Sequence, residues 1–169
     1  KKGEIKLTEN SKPLISVIIP IYNVDTYLKR CLQSIAEQSF KNFEVLMIDD
    51  GSPDTSGSIC VDYQKKDARF RYYKKVNGGA ASARNFGLKL IRGEYIAFID
   101  GDDFLAKDYL KTLYKEIETT GCDIAICSYY VFDVDKNEYF LPLNPSGADK
   151  SLNHTYTPED WVKEFYPRD

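Results

Sequence analysis

The chain has 169 residues, of which 43% are hydrophobic and 29% are charged, and its formal net charge is −3. This is the composition of a globular protein, and the length suits one domain with a core of its own. The acidic balance, with no basic block or stripe, excludes binding to a nucleic-acid polymer on electrostatic grounds.

The start of the chain is polar and rich in lysine. We expect residues 1–13 to form a flexible leader and residues 14–169 to form a single domain. The leader lacks the apolar run of a signal peptide, and the longest apolar stretch, around 15–22, is too short to cross a bilayer. We therefore expect a cytoplasmic protein. Peripheral attachment to the inner face of the membrane, through a segment outside this chain, stays open.

Five strands are predicted along the chain. The first, over 14–21, is a nearly continuous β-branched apolar run, typical of a parallel strand buried on both faces, with Pro20 at or beyond its end. The others are predicted over 43–48, 69–74, 95–99 and 123–132, the third strand lying nearer an edge, and a turn at 135–137 leads into a return strand over 138–143.

Helices are predicted between these strands from the spacing of apolar residues. Asp25 is the predicted N-cap of the first helix. The helix carries an apolar stripe of four residues: Leu28, Cys31, Leu32 and Ile35. The others are predicted over 56–66, over 80–91 with Gly93 as the C′ residue, around 110–117, and from Thr157 onward. Alternating strands and helices predict an α/β fold with a mainly parallel sheet flanked by helices.

The four cysteines form no C-x-x-C pair, and we interpret them as buried free thiols: Cys31, Cys60, Cys122 and Cys127. Cys127 falls inside the predicted fifth strand. His154 is the only histidine, so a zinc site built from histidine and cysteine is not expected.

Acidic residues follow two of the predicted strands, as Asp49-Asp50 and as Asp100-Gly101-Asp102-Asp103. The carboxyl ends of parallel strands meet at one edge, where ligands of such folds bind. Carboxylates gathered there repel one another unless a cation lies among them, and Mg²⁺ or Mn²⁺ shared with substrate phosphates is the natural partner. In an extended segment, Asp100 and Asp102 would point to the same side. The alternative is a solvated acidic turn, with Asp103 as a helix cap.

Two other polar residues permit a functional and a structural interpretation. Asp50 belongs to a run of turn-forming residues, so a simple turn competes with hydrogen bonding to a nucleobase or ribose. Arg84 lies in the first turn of its helix, where the helix dipole does not favour a cation. That position suits an anionic partner such as a diphosphate, and an exposed surface arginine is the alternative.

Five motifs follow one another in a fixed order: SVIIPIYN at 16–23, DDGSPD at 49–54, NGG at 77–79, ARN at 83–85 and GEYIAFIDGDD at 93–103. Together they resemble glycosyltransferase family 2, over about residues 14–128. The resemblance implies a GT-A fold, which is Rossmann-like, and binding of a nucleoside-diphosphate sugar, commonly a UDP-sugar, with Mn²⁺ or Mg²⁺.

The resemblance also implies site residues, matched motif by motif. Nucleotide-sugar binding would involve Pro20 and Tyr22 at the base, Asp50 at the uracil, Arg84 near base and phosphates, and Asp100 near the ribose. Asp102 would ligate the metal, with Asp103 beside it.

Members of this family invert the anomeric centre in one displacement, with an Asp or Glu acting as general base on the acceptor hydroxyl. The matching position lies beyond Asp169, so no catalytic residue is assigned and the acceptor side is expected to be incomplete. The resemblance implies transfer to a glycan or lipid-linked acceptor, in cell-surface polysaccharide synthesis. A non-catalytic nucleotide-sugar-binding module on the same fold is the alternative.

Overall fold

The computed structural model describes residues 12–133, 135–140 and 157. The chain divides into two compact units, Lys1–Lys111 and Thr112–Asp169. The predictions for residues 1–11, for the return strand beyond 140 and for the helix after Thr157 lie outside the described residues.

The first unit contains a four-stranded parallel sheet with strand order β3-β2-β1-β4. Strands β1 (Ile15–Ile21) and β2 (Phe43–Asp49) occupy its centre, and β3 (Phe70–Lys74) and β4 (Tyr95–Phe98) flank them. The mainly parallel sheet and the outer position of the third strand are therefore confirmed. Every residue of β2 is buried, and so is every residue of β1 except Pro20. Pro20 is the last residue but one of β1, slightly inside the predicted strand end.

Four helices are described in the chain: α1 (Asp25–Ala36), α2 (Ser56–Lys66), α3 (Ala80–Leu88) and α4 (Tyr109–Thr120). Helix α1 buries the whole predicted stripe, which confirms the helical spacing. Helix α3 approaches the sheet closely because Gly87 has no side chain: a Cβ there would lie 2.7 Å from Cγ2 of Ile18. None of these helices is both long and apolar enough to span a membrane.

The end of α3 differs from the prediction. The helix stops at Leu88, and Gly93 is not its C′ residue. The segment after the helix is held by long-range hydrogen bonds. The amide of Arg92 donates to Oε1 of Glu44 at 2.8 Å, and the amide of Gly93 donates to Oγ of Ser16 at 2.9 Å. A Cβ on Gly93 would lie 2.6 Å from the backbone nitrogen of Ser16, so this close approach requires glycine.

In the second unit, β5 (Val131–Asp133) and β6 (Glu138–Phe140) form an antiparallel hairpin around the predicted turn. The predicted strand over 123–132 is wrong over 123–130, where the structure has no strand. Ile124 and Ile126 there are 75% and 67% exposed, so the apolar alternation does not mark a buried face. Cys127, predicted to be buried in that strand, is exposed, whereas Cys31 and Cys60 are buried free thiols as predicted.

Glu44, near the start of β2, is a buried carboxylate that the sequence analysis did not single out. It accepts hydrogen bonds from Oγ of Ser16 at 2.8 Å, from Arg71 at 2.9 Å, and from the amide and Nε of Arg92 at 2.8 and 2.9 Å. Burial raises the pKa of Glu44, but these donors outweigh burial and hold the pKa below its usual 4.5. Glu44 thus joins three strands to the segment after α3.

Replacing Glu44 by glutamine is expected to lower the free energy of unfolding at neutral pH by about 2 kcal/mol, because two arginines lose their shared carboxylate. The lowered pKa of Glu44 means that its stabilisation is complete above pH 4.5 and is lost as the pH falls through the folded-state value. The difference between wild type and Glu44→Gln should therefore shrink in acid. Urea unfolding at several pH values checks this, with exposed Glu94→Gln as the control; a difference independent of pH would contradict it.

Candidate functional site

The loops after β1, β2 and β4 lie together at the carboxyl edge of the sheet. The amide of Asp50 donates to the carbonyl of Ile21 at 2.8 Å. On the other side, a Cβ on Gly101 would lie 3.5 Å from the carbonyl oxygen of Pro20. The three loops that carry the sequence-predicted residues are therefore neighbours, as the parallel topology required.

The turn after β1 presents Tyr22 to solvent. Tyr22 is 51% exposed. The next residue, Asn23, adopts a φ of +54°, in the left-handed region, and its amide lies 3.4 Å from Oγ of Ser52. An exposed aromatic ring held by a fixed turn can stack on a planar ligand. The place of Pro20 and Tyr22 in a base pocket stays a prediction.

Two carboxylates join the loops after β1 and β2. Asp54 accepts from the amide of Asp25 at 3.0 Å and from the amide and hydroxyl of Ser56 at 3.0 and 2.9 Å. Asp25 in turn accepts from Oγ1 of Thr55 at 2.7 Å and from its amide at 3.3 Å. Helix α1 begins at Asp25, whose side chain holds the start of α2; the prediction that Asp25 caps α1 is wrong.

Asp50 is buried, and its hydrogen-bond partners belong to the loop over 75–79. Its Oδ1 accepts from Nζ of Lys75 and from the amide of Gly78 at 3.1 Å, and its Oδ2 accepts from the amides of Gly78 and Gly79 at 3.0 and 2.6 Å. Burial raises the pKa of Asp50, but these donors outweigh burial and hold the pKa below the usual 3.8. Asp50 is therefore a charged anchor for this loop, and its contact with a uracil stays a prediction.

Arg84 and Asp100, both predicted site residues, contact each other. A terminal nitrogen of Arg84 lies 2.5 Å from Oδ1 of Asp100, and the two side chains are 34% and 52% exposed. Ion pairs this open to solvent contribute little stability, about 0–1 kcal/mol. Arg84 can therefore exchange Asp100 for another anion at small cost. The role of Arg84 near the base and phosphates stays a prediction.

Residues 100–103 form a turn in which the amide of Asp103 donates to the carbonyl of Asp100 at 3.1 Å. The segment is not extended, so the argument that placed Asp100 and Asp102 on one side does not hold. Asp103 does not cap the next helix, which begins at Tyr109. Partial burial, and then the carboxylates of Asp102 and Asp100, raise the pKa of Asp103 above its usual 3.8.

Cys31 of α1 and Val24, the residue before that helix, lie against this turn. Sγ of Cys31 lies 3.5 Å from the carbonyl oxygen of Asp100. Burial, and then the three carboxylates of the turn, raise the pKa of the Cys31 thiol to about 12, so it stays protonated and can donate to that carbonyl. Gly101 is buried against Val24: a Cβ added to Gly101 would lie 3.1 Å from Cγ2 of Val24. Close packing, rather than a special turn conformation, explains this glycine.

The divalent metal that the resemblance implies was tested against the donor groups of the turn. Among the described residues, no three His, Cys, Asp or Glu side chains are arranged to hold a metal by themselves. Asp102 and Asp103 are exposed. Partial desolvation is the larger cause of the raised pKa of Asp103, and the carboxylates of Asp102 and Asp100 raise it further. A hard cation that completes its shell with ligand oxygens would relieve that repulsion. Asp102 and Asp103 therefore fit an ion shared with a bound anion.

Three features of the edge were not predicted: the contact of Lys75, the Asp25–Thr55 bond and the supporting role of Cys31. These contacts link residues 25 to 69 positions apart. Only Lys75 had a signal in the sequence. It follows the third predicted strand, and two aspartates follow the neighbouring second strand, so opposite charges fall at the same edge.

Comparison with known proteins decides the family. The model of glycosyl transferase family 2 matches residues 16–167. The chain belongs to this family. It is 43% identical over 129 residues to glycosyltransferase GlyA of Streptococcus pneumoniae, covering 76% of this chain and 18% of GlyA. It is 40% identical over 120 residues to the minor teichoic acid biosynthesis protein GgaB of Bacillus subtilis, covering 69% of this chain and 13% of GgaB.

Solved structures of other glycosyltransferases and related proteins share the fold. S. aureus TarS 1–349 in complex with UDP-GlcNAc matches with a TM-score of 0.59 and 35% identity, over 63% of this chain and 31% of that one. Mannosyltransferase PcManGT from Pyrobaculum calidifontis, in complex with GDP-Man and Mn²⁺, matches with a TM-score of 0.56 and 25% identity, over 64% and 33%. The GT-A fold is therefore confirmed, and this family 2 chain spans about a third or less of the length of these four proteins.

Gly101→Ala is expected to destabilise the protein by about 1–3 kcal/mol, because the added methyl group meets Val24 in a packed environment. Val24→Ala makes room, so the double variant should lose less than the sum of the two single effects. Urea unfolding of the four proteins measures the coupling. Strictly additive losses would show that Gly101 does not pack against Val24.

Proposed function

We propose that the carboxyl edge binds a UDP-sugar together with Mn²⁺ or Mg²⁺, and that the protein transfers the sugar, with inversion, to a glycan or lipid-linked acceptor. One observation carries this proposal: Arg84 and Asp100 form an exposed, exchangeable pair beside the exposed carboxylates of Asp102 and Asp103. A guanidinium that can change partner suits a diphosphate, and two mutually repelling carboxylates suit the cation that accompanies it.

The relatives support a nucleotide-sugar donor and favour uridine. TarS is seen with UDP-GlcNAc, and PcManGT is seen with GDP-Man and Mn²⁺. The identity to this chain is 35% for TarS and 25% for PcManGT. The greater similarity to the protein that holds a uridine nucleotide supports UDP-sugar as the donor class.

We assign the residues of the edge as follows. Pro20 and Tyr22 line the base pocket, Asp50 contacts the uracil, and Asp100 lies near the ribose. A uracil contact requires one free acceptor position on Asp50. The amide of Gly78 contacts both carboxylate oxygens, at 3.1 and 3.0 Å, so it can give up one contact and keep the other. Asp50 is charged, so it can accept a hydrogen bond from the imide N–H of a uracil.

At the phosphates, Asp102 and Asp103 would hold the divalent ion. The ion supplies Lewis-acid stabilisation of the diphosphate leaving group when it is bound. Arg84 binds the phosphate oxygens and is released from Asp100 as it does so. The general base that accepts the acceptor's proton is not assigned to a described residue.

Relatives also support the proposed setting. GgaB is named for teichoic acid biosynthesis, and we propose assembly of a cell-surface polysaccharide at the cytoplasmic face of the membrane. A non-catalytic binding module is not favoured, because relatives such as GlyA are named glycosyltransferases.

Inversion predicts that the sugar in the first product of the whole protein has the anomeric configuration opposite to that of the donor. Proton NMR of the new glycosidic linkage checks this; retained configuration would contradict it.

Asp102→Asn is expected to weaken Mn²⁺-dependent UDP binding by tenfold or more, since removing a charged ligand from a hard cation costs about 1.4 kcal/mol or more. Isothermal calorimetry with Mn²⁺ and with EDTA measures it. Asp62→Asn, an exposed aspartate on α2, has the same change in charge and should bind UDP like wild type. If wild type binds UDP equally strongly in Mn²⁺ and in EDTA, the metal assignment is wrong. If Asp102→Asn binds UDP with unchanged affinity, the assigned role of Asp102 is wrong.

A further inference from the structure

Lys75 directly follows an outer strand, yet its side chain is largely shielded from solvent. Its side chain is 16% exposed, and Nζ contacts Oδ1 of Asp50 and the carbonyl oxygen of Val76, the latter at 2.6 Å. Its neighbour Lys74 differs: that side chain is 59% exposed, and its Nζ lies 3.8 Å from Asp49. Of these two adjacent lysines, only Lys75 packs against the carboxyl edge of the sheet.

The contact with Lys75 belongs to a packed loop. The amide of Lys75 donates to the carbonyl of Asp49 at 2.9 Å. Gly51 has a φ of +78°, and a Cβ there would lie 3.2 Å from the amide nitrogen of Asn77 and 3.4 Å from the carbonyl of Lys75. The loop over 75–79 is therefore fitted against residues 49–51, with the Asp50 carboxylate at its centre. A buried carboxylate without its cation would keep only the two glycine amides as donors.

Those two amides lead directly to Arg84. Gly79 is the residue before α3, with a φ of +87°, and its carbonyl accepts the amide of Ala83 at 3.0 Å in the first turn of that helix. The amide of Gly79 is bound to Oδ2 of Asp50 at 2.6 Å. Asp50 therefore bonds the residue that precedes α3, the helix that carries Arg84.

We propose that Lys75 is a positioning residue of the nucleotide-sugar site: by fixing Asp50 it holds the turn over 77–79 and the start of α3, and thereby Arg84, in the geometry that binds the donor. This inference rests on the proposed function. It assigns Lys75 no contact with the nucleotide. Its loss lowers the fraction of protein with a formed site, and the apparent affinity falls by that fraction.

The test uses the full chain and compares Lys75→Met with Lys75→Arg and Lys74→Met. Lys74→Met removes the same charge one residue away and serves as the matched control. Hydrogen exchange of the amides of Gly78 and Gly79 is measured without ligand, with core amides of β1 reporting global unfolding. Calorimetry with UDP and Mn²⁺ gives Kd under conditions in which all variants are folded.

We expect Lys75→Met to speed exchange at Gly78 and Gly79 at least tenfold without changing β1, and to raise the Kd for UDP about tenfold. Lys75→Arg should recover most of the affinity, and Lys74→Met should match wild type. Unchanged Kd in Lys75→Met overturns the inference. So does a weaker Kd with unchanged exchange, since that indicates direct contact with the nucleotide. Wild type that binds no UDP overturns the proposed function instead, whatever the exchange rates show.

Discussion

A carboxylate that leaves water must find donors, and this requirement organises the carboxyl edge of the sheet. The two aspartates at the end of β2 are both buried. Asp49 accepts from the amide of Ser52 and from the hydroxyl of Tyr72, each at 2.7 Å, and Asp50 accepts from the loop over 75–79. Because neither carboxylate can be left without partners, the loops on both sides are fixed by the fold before any ligand arrives.

The acidic turn after β4 shows the opposite use of the same residue type. Asp102 and Asp103 are exposed, so water can solvate them and no donor from the protein is required. Their repulsion, which adds to partial desolvation in raising the pKa of Asp103, is left for a ligand to relieve. The buried turn residue Gly101 and the thiol of Cys31 keep this charged turn in place from below. The buried aspartates thus fix the loops of the edge, whereas the exposed aspartates remain available to a ligand.

Local patterns predicted what depends on local spacing. The buried stripe of α1 follows from its helical period, and the gathering of the loops after β1, β2 and β4 at one edge follows from the parallel order of strands. The errors have a common cause: Asp25 bonds to Thr55, and Gly93 bonds to Ser16, partners 30 and 77 residues away that no local rule anticipates. The predicted strand over 123–130 failed similarly, since alternating residues make a strand only where a neighbouring backbone pairs with them.

The charge of the open part of the edge explains why a cation belongs in the proposed function. Arg84, Asp100, Asp102 and Asp103 together carry three carboxylates and one guanidinium, a formal excess of two negative charges. A diphosphate brings more negative charge to the same place, and Arg84 alone cannot neutralise it. A divalent ion would balance the excess of the turn and leave Arg84 free to move from Asp100 to a phosphate oxygen. Binding of metal and binding of nucleotide should therefore favour each other, because each relieves a repulsion that the other would otherwise meet.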